Sequence, residues 1–257
     1  MTYCLAITLN DGIVFAADTR TNAGVDYVTA YSKLHVFAPA DDRLFVVLSA
    51  GNLATTQDVL HRLTRDLKAD DGRESLRSVR YPFEAAEYLG RVSVLAQSKH
   101  AEALSRSNIS GETTLIIGGQ IRGEPHGLFM VYPQGNYISA SPETPYLQIG
   151  ESKYGKPMLD RIIDPNLSLN DAARLCLVSL EATVRSNITV GPPFQLAIYP
   201  RDSFALSRHV TIKENSSFYL AFKSAWQEGL KQAFTKLPPF EWETEGDKVT
   251  KIGDGQS

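Results

Sequence analysis

Apolar and polar positions alternate from the first residues: Tyr3, Leu5, Ile7 and Leu9 fall on one side and Cys4, Ala6 and Thr8 on the other, which is the period of a strand. Asn10-Asp11-Gly12 supplies turn chemistry, and Ile13 to Asp18 reads as the hairpin partner. Thr2 therefore opens one strand and Asp18 closes its neighbour. Tyr31 to Phe37 predicts a further strand, and the continuous apolar run Leu44 to Leu48 suits one covered on both faces. After Gly51 the period changes. Leu53, Leu60, Leu63 and Leu67 share one helical face, and a second helix is expected from about Pro82 to His100. The charged segment Asp70 to Arg80 between them reads as a solvated connection.

Strands return at Thr113 to Gln120, Gly127 to Tyr132, Asn136 to Ala140 and Tyr146 to Ile149, punctuated by Gly, Pro and Asn. Ser168 with Asp171 forms a capping arrangement, and Leu169, Ala173, Cys176, Leu180 and Val184 make the apolar stripe of the helix it starts. Phe194 to Tyr199 and Leu206 to Ile212 are the last strands. A final helix from about Ser217 to Leu237 is stopped by Pro238-Pro239. This order predicts an α+β fold of four layers, αββα, with two antiparallel sheets packed together and helices on both outer faces. One domain is expected over residues 1–237. The polar tail at 238–257 is expected to be poorly ordered or to reach a neighbouring subunit.

The net charge of −3 gives no general attraction to polyanions, so nucleic acid and anionic membrane surfaces are not expected partners. Cys4 and Cys176 form no CxxC pair and read as small buried apolar residues. The sequons at Asn108, Asn187 and Asn215 are taken as chance. No secretion signal and no run of about 18 apolar residues is seen, which predicts a soluble cytoplasmic protein. His35, His61, His100, His126 and His209 are scattered without HExxH spacing, so no metal is expected, and no cofactor. There is no Gly-x-Ser-x-Gly elbow and no phosphate-binding loop, so energy from ATP would have to come from a separate partner.

Chemistry concentrates at the N-terminus. Methionine before a small residue is readily removed, which would leave Thr2 with a free α-amine. Such an amine titrates near pH 7.7–8.0, roughly, and can take the proton of its own hydroxyl, so nucleophile and base share one residue. The methyl on Cβ restricts χ1 and holds Oγ near one attack direction.

Thr2, the run Ala17-Asp18-Thr19-Arg20-Thr21-Asn22-Ala23-Gly24, Lys33 and Ser49-Ala50-Gly51 together resemble the proteasome β-subunit and bacterial HslV-type peptidase family, an N-terminal nucleophile hydrolase family, and more closely its Anbu branch. Singly, Asp18 reads as a turn cap, Lys33 as a solvated strand lysine and Gly51 as a helix-start glycine. Their order and spacing carry the resemblance.

That resemblance implies Thr2 as nucleophile and base, Lys33 as the charge that lowers the amine's proton affinity, Asp18 as its partner, and the Gly51 N–H as oxyanion donor. It implies Arg20, Thr21, Asn22, Tyr31, Ser49 and Leu53 around the substrate, with an uncharged side-chain pocket. The family's Asp-x-x-Ser-Gly pattern meets Ser186-Asn187-Ile188-Thr189-Val190 here, without the Asp, leaving Ser186 and Thr189 as its hydroxyls. Its serine element meets Gly150-Glu151-Ser152-Lys153-Tyr154, where Ser152 is the match.

Three functions follow from this reading. The first is a threonine peptidase acting on peptides or unfolded segments within a homo-oligomer, served by an ATPase if energy is needed. The second is an amidohydrolase of a small or unusual amide, for which the branch's association with peptide-ligating enzymes suggests a ligase partner. The third is a weakly active or non-catalytic assembly subunit, against which the retention of Asp18, Lys33 and Gly51 argues.

Overall fold

The computed structural model describes residues 2–22, 28–69 and 71–244. Along the chain, β1 (Tyr3–Leu9), β2 (Gly12–Asp18), the short strands β3 (Arg20–Asn22) and β4 (Val28–Ala30), β5 (Leu34–Ala40) and β6 (Arg43–Gly51) precede the helices α1 (Leu53–Lys68), α2 (Pro82–Ser98) and α3 (Ala101–Arg106). The second β block, β7 (Thr113–Ile121), β8 (Gly127–Val131), β9 (Tyr137–Ser139) and β10 (Tyr146–Gly150), leads into α4 (Lys156–Ile162) and α5 (Leu169–Ser186). Then come β11 (Phe194–Pro200) and β12 (Arg208–Ile212).

The strands assort into two antiparallel sheets, β10-β1-β2-β11-β12 and β5-β6-β7-β8-β9, with β3 and β4 as a separate hairpin. Helix α5 lies on β1, β2 and β11, whereas α1 and α2 lie on the strands of the other sheet. The result is the αββα sandwich that the pattern predicts.

Period-two alternation explains β6. Leu44, Val46, Leu48 and Ala50 enter the core between the sheets beside Cys4, Phe15 and Ile116, while Phe45 and Val47 enter the core under the helices beside Val59, Leu63 and Leu89. Both faces are covered, which is why the run is continuously apolar. Cys4 and Cys176 are both fully buried, as expected.

Three expectations need correction. The strand predicted from Tyr31 begins at Leu34, because the Gln195 side-chain oxygen accepts the backbone N–H groups of Lys33 at 3.2 Å and Leu34 at 3.4 Å. The connection between α1 and α2 is not merely solvated, since Leu76 is fully buried and Ser75 and Val79 nearly so. The second long helix ends at Ser98, ahead of His100, and the short α3 follows it.

The described residues part into two units between Ser216 and Ser217. This break lies ahead of the last long helix. The second unit holds α6 (Ser217–Thr235) and α7 (Glu241–Thr244), with Phe240 and Trp242 stacked at 4.2 Å. The expectation for the rest of the tail falls on 245–257, outside the described residues.

Candidate active site

Antiparallel pairing of β1 with β2 brings Cys4 opposite Ala17, so the next residues outward, Tyr3 and Asp18, meet at the sheet's end. The Tyr3 N–H donates to Asp18 Oδ1 at 2.9 Å. The carboxylate thus lies one residue from Thr2. Lys33 extends its ammonium to the same oxygen at 2.8 Å and to the Arg20 carbonyl at 2.6 Å. Its backbone is clamped, with its N–H on Gln195 and its carbonyl accepting from the Ser49 N–H at 3.1 Å. Asp18 is fully buried and Lys33 is 6% exposed. Neither is a turn cap or a solvated lysine.

Burial pushes the Asp18 carboxyl up, and the Lys33 charge and hydrogen bond, helped by the N–H groups of Tyr3 and Gly191, pull it back without cancelling the rise. The neighbouring Cys4 thiol is pushed up by burial in the same way, so it stays protonated and donates to the Ser49 carbonyl at 3.6 Å.

Thr2 is held from the other side by β10. Its carbonyl accepts the Glu151 N–H at 2.7 Å. Gly150 makes this possible: it has φ of +83°, and a Cβ there would stand 1.9 Å from the Thr2 oxygen. Gly51 closes β6 at φ +119°, where a Cβ would stand 2.4 Å from the Glu112 carbonyl. Asn52 then caps α1 by accepting the Thr55 N–H at 3.2 Å. Gly51 and Gly150 face a common cleft of about 540 Å³, which Asn52, Ser110, Glu112 and Thr114 also line. A larger cleft of about 650 Å³ lies against α2 and α3; it shares Ser110 and Glu112 with the first but includes none of the expected catalytic or substrate-binding residues.

The remaining expected residues are placed unevenly. Arg20 donates to the Ile188 carbonyl at 2.8 Å, so β3 is tied to the loop after α5. The Thr21 hydroxyl donates back to the Thr19 carbonyl at 3.5 Å, and Asn22 pairs through its backbone with Val28. Ser49 is buried on β6, Leu53 opens α1 half-buried, and the Tyr31 ring is 42% exposed.

Ser186 is exposed at the end of α5. Ser152 contributes its backbone, with its N–H on the Gly150 carbonyl and its own carbonyl accepting from Gln148. Thr189 donates its hydroxyl to Asn187 Oδ1 at 2.6 Å, and Asn187 in turn donates to Glu151 Oε2 at 3.0 Å. Glu151 is 6% exposed. Asn187, a hydrogen-bonding candidate of this element in the sequence, joins the group; Glu151 was passed over. Counting from Gly150 rather than searching for a serine would have reached Glu151.

The proteasome subunit family model matches residues 2–199. The chain belongs to the proteasome subunit family. Proteasome subunit beta 2 of Pyrobaculum islandicum is 28% identical over 206 residues, covering 79% of this chain and 93% of that protein. Within the family the chain falls in the Anbu branch. The ancestral β-subunit Anbu from Yersinia bercovieri superposes with a TM-score of 0.86 at 41% identity, over 93% of this chain and 98% of that one. The helical assembly of the Anbu complex from Pseudomonas aeruginosa superposes at 0.87 with 40% identity, over 93% and 98% of the two chains. At family level this is a proteasome-type hydrolase fold. No described helix is long and apolar enough to cross a membrane.

Proposed function

We propose that the chain is a threonine peptidase that cleaves amide bonds of peptides or unfolded segments with Thr2 as nucleophile, once Met1 is gone. The observation that carries this reading is the buried Asp18–Lys33 ion pair, which meets the N–H of Tyr3 at the same carboxylate oxygen beside Thr2. A buried ammonium there disfavours a second positive charge on the α-amine, leaving it free to take the hydroxyl proton. The Gly51 N–H, next to the start of α1, would then receive the oxyanion, a role worth about 3–4 kcal/mol of barrier.

Thr21, Tyr31, Ser49 and Leu53 would form the pocket for the side chain before the scissile bond. None is charged, so a basic or acidic side chain would be buried without a partner there. Neutral side chains of small to medium size are the expected substrates. The working form would be a homo-oligomer, in line with the assembly of the Pseudomonas relative, and any unfolding would fall to a separate ATPase or, for an unusual conjugate, the supply to a peptide ligase.

Two measurements test this. Intact mass of functional protein should correspond to a chain starting at Thr2; retained Met1 in functional material contradicts the mechanism. A fluorogenic peptide library should show neutral preference, and Ser49→Met should shift selection to smaller side chains. Native preference for Arg or Asp, or an unchanged profile in the variant, contradicts the pocket.

A further inference from the structure

The Glu151 carboxylate has no role in the reading above, and its surroundings are unusual. Glu151 is buried, and among the described residues its carboxylate accepts one hydrogen bond, from the neutral Asn187 amide, and makes no ion pair. It lies beside Thr2, whose nitrogen maturation would free. Tyr3 pairs with Gly150, so Thr2 and Glu151 are the next residues outward on the two strands, and they are joined by the 2.7 Å bond from the Glu151 N–H to the Thr2 carbonyl. Removal of Met1 turns the Thr2 nitrogen from an amide into an amine that can carry charge.

We propose that Glu151 is the positioning residue of the mature N-terminus, supplying the counter-charge that holds the Thr2 ammonium in place between catalytic events. This rests on the peptidase reading and adds the missing anion to it. The charged groups around the amine would then balance, with Asp18 and Glu151 negative and Lys33 and Thr2 positive. Each comes from a different element: Asp18 from β2, Lys33 from the segment before β5, Glu151 from the turn after β10. From the loop after α5 the neutral Asn187 bonds Glu151 and Thr189 bonds Asn187, Arg20 on β3 donates to the Ile188 carbonyl, and Cys4 is a neutral thiol. Glu112 lies across the cleft and is exposed. Lys33 lowers the amine's proton affinity and Glu151 raises it, so the two set its working range by opposition.

The acid would reach the N-terminus from the turn after β10, with Asn187, itself held by the Thr189 hydroxyl, fixing its rotamer.

The test is the pH dependence of covalent labelling of Thr2 by a peptide epoxyketone on processed protein, for wild type, Glu151→Gln and Glu151→Asp. Glu151→Gln keeps the shape and removes the charge, so the midpoint of the acid limb should move down by about one pH unit. Loss of positioning should also lower the plateau rate by about tenfold, since one misplaced reacting group costs on that order. Glu151→Asp should return the midpoint toward wild type. If Glu151→Gln melts below the assay temperature, Glu151→Met, of similar length and uncharged, takes its place. A neutral variant that labels with the wild-type midpoint overturns the proposal while leaving the peptidase reading intact. Wild type that labels at no pH overturns both.

Discussion

At the scale of single residues, Asp18 and Lys33 are the pair on which the site depends. Each is nearly or wholly removed from water, so deleting one leaves the other charged and unpartnered. Lys33→Ala is therefore expected to abolish labelling of Thr2 and also to lower folding stability by about 3 kcal/mol, the low end of the usual cost of breaking a buried pair. Asp18 adds a pH dependence. Burial raises its proton affinity above that of an ordinary carboxylate, so on acidification it takes a proton at a higher pH than exposed carboxylates do, and the charge that orients Lys33 is lost. Labelling should decline on the acid side from Asp18 protonation as well as from the amine, and Asp18→Asn should lose at least a hundredfold at every pH. Wild-type labelling rates in either variant would contradict the assignment of the pair. Asp18 and Lys33 were singled out through the family resemblance, on their order and spacing after Thr2, and the structure pairs them. Glu151, which accepts a hydrogen bond from Asn187, was passed over because the resemblance pointed to the neighbouring Ser152.

At the scale of elements, the strands were legible wherever alternation or a continuous apolar run survived. The hairpin β3–β4 was not, since Arg20-Thr21-Asn22 and Val28-Thr29-Ala30 carry almost no apolar signal, and pairing comes from the backbone. The segment between α1 and α2 misled for the opposite reason. Its charges hide Leu76, which sits in the core with Val59, Leu63 and Leu89. Beside it, Asp66 ties the two helices by accepting from the Tyr88 hydroxyl at 2.9 Å and from Arg65 and Arg73. Burial pushes the Asp66 carboxyl up, but these bonds outweigh it and hold it below the ordinary range. Its stabilisation is therefore present above the unfolded value, roughly pH 4, and lost as the pH falls through the lower folded one. Leu76→Ala should cost about 2–5 kcal/mol in a denaturant titration, with labelling of the folded protein unchanged. A cost below about 1 kcal/mol would show that the segment is solvated after all.

At the scale of the whole molecule, the αββα sandwich serves to bring the ends of three strands to one place: the start of β1 with Thr2, the end of β2 with Asp18, and the end of β10 with Gly150 and Glu151. The second sheet contributes Gly51 across a shared cleft. The layer order followed from periodicity alone, because each helix and sheet had an apolar face to cover. The described residues also part into two units ahead of α6. The central claim is that this meeting of strand ends makes Thr2 a nucleophile. It is tested most directly by treating purified protein with a peptide epoxyketone and mapping the adduct by mass spectrometry. One equivalent on the N-terminal Thr2, absent from Thr2→Ala, is the predicted result; an unmodified N-terminal peptide under conditions that label a proteasome β-subunit would contradict it.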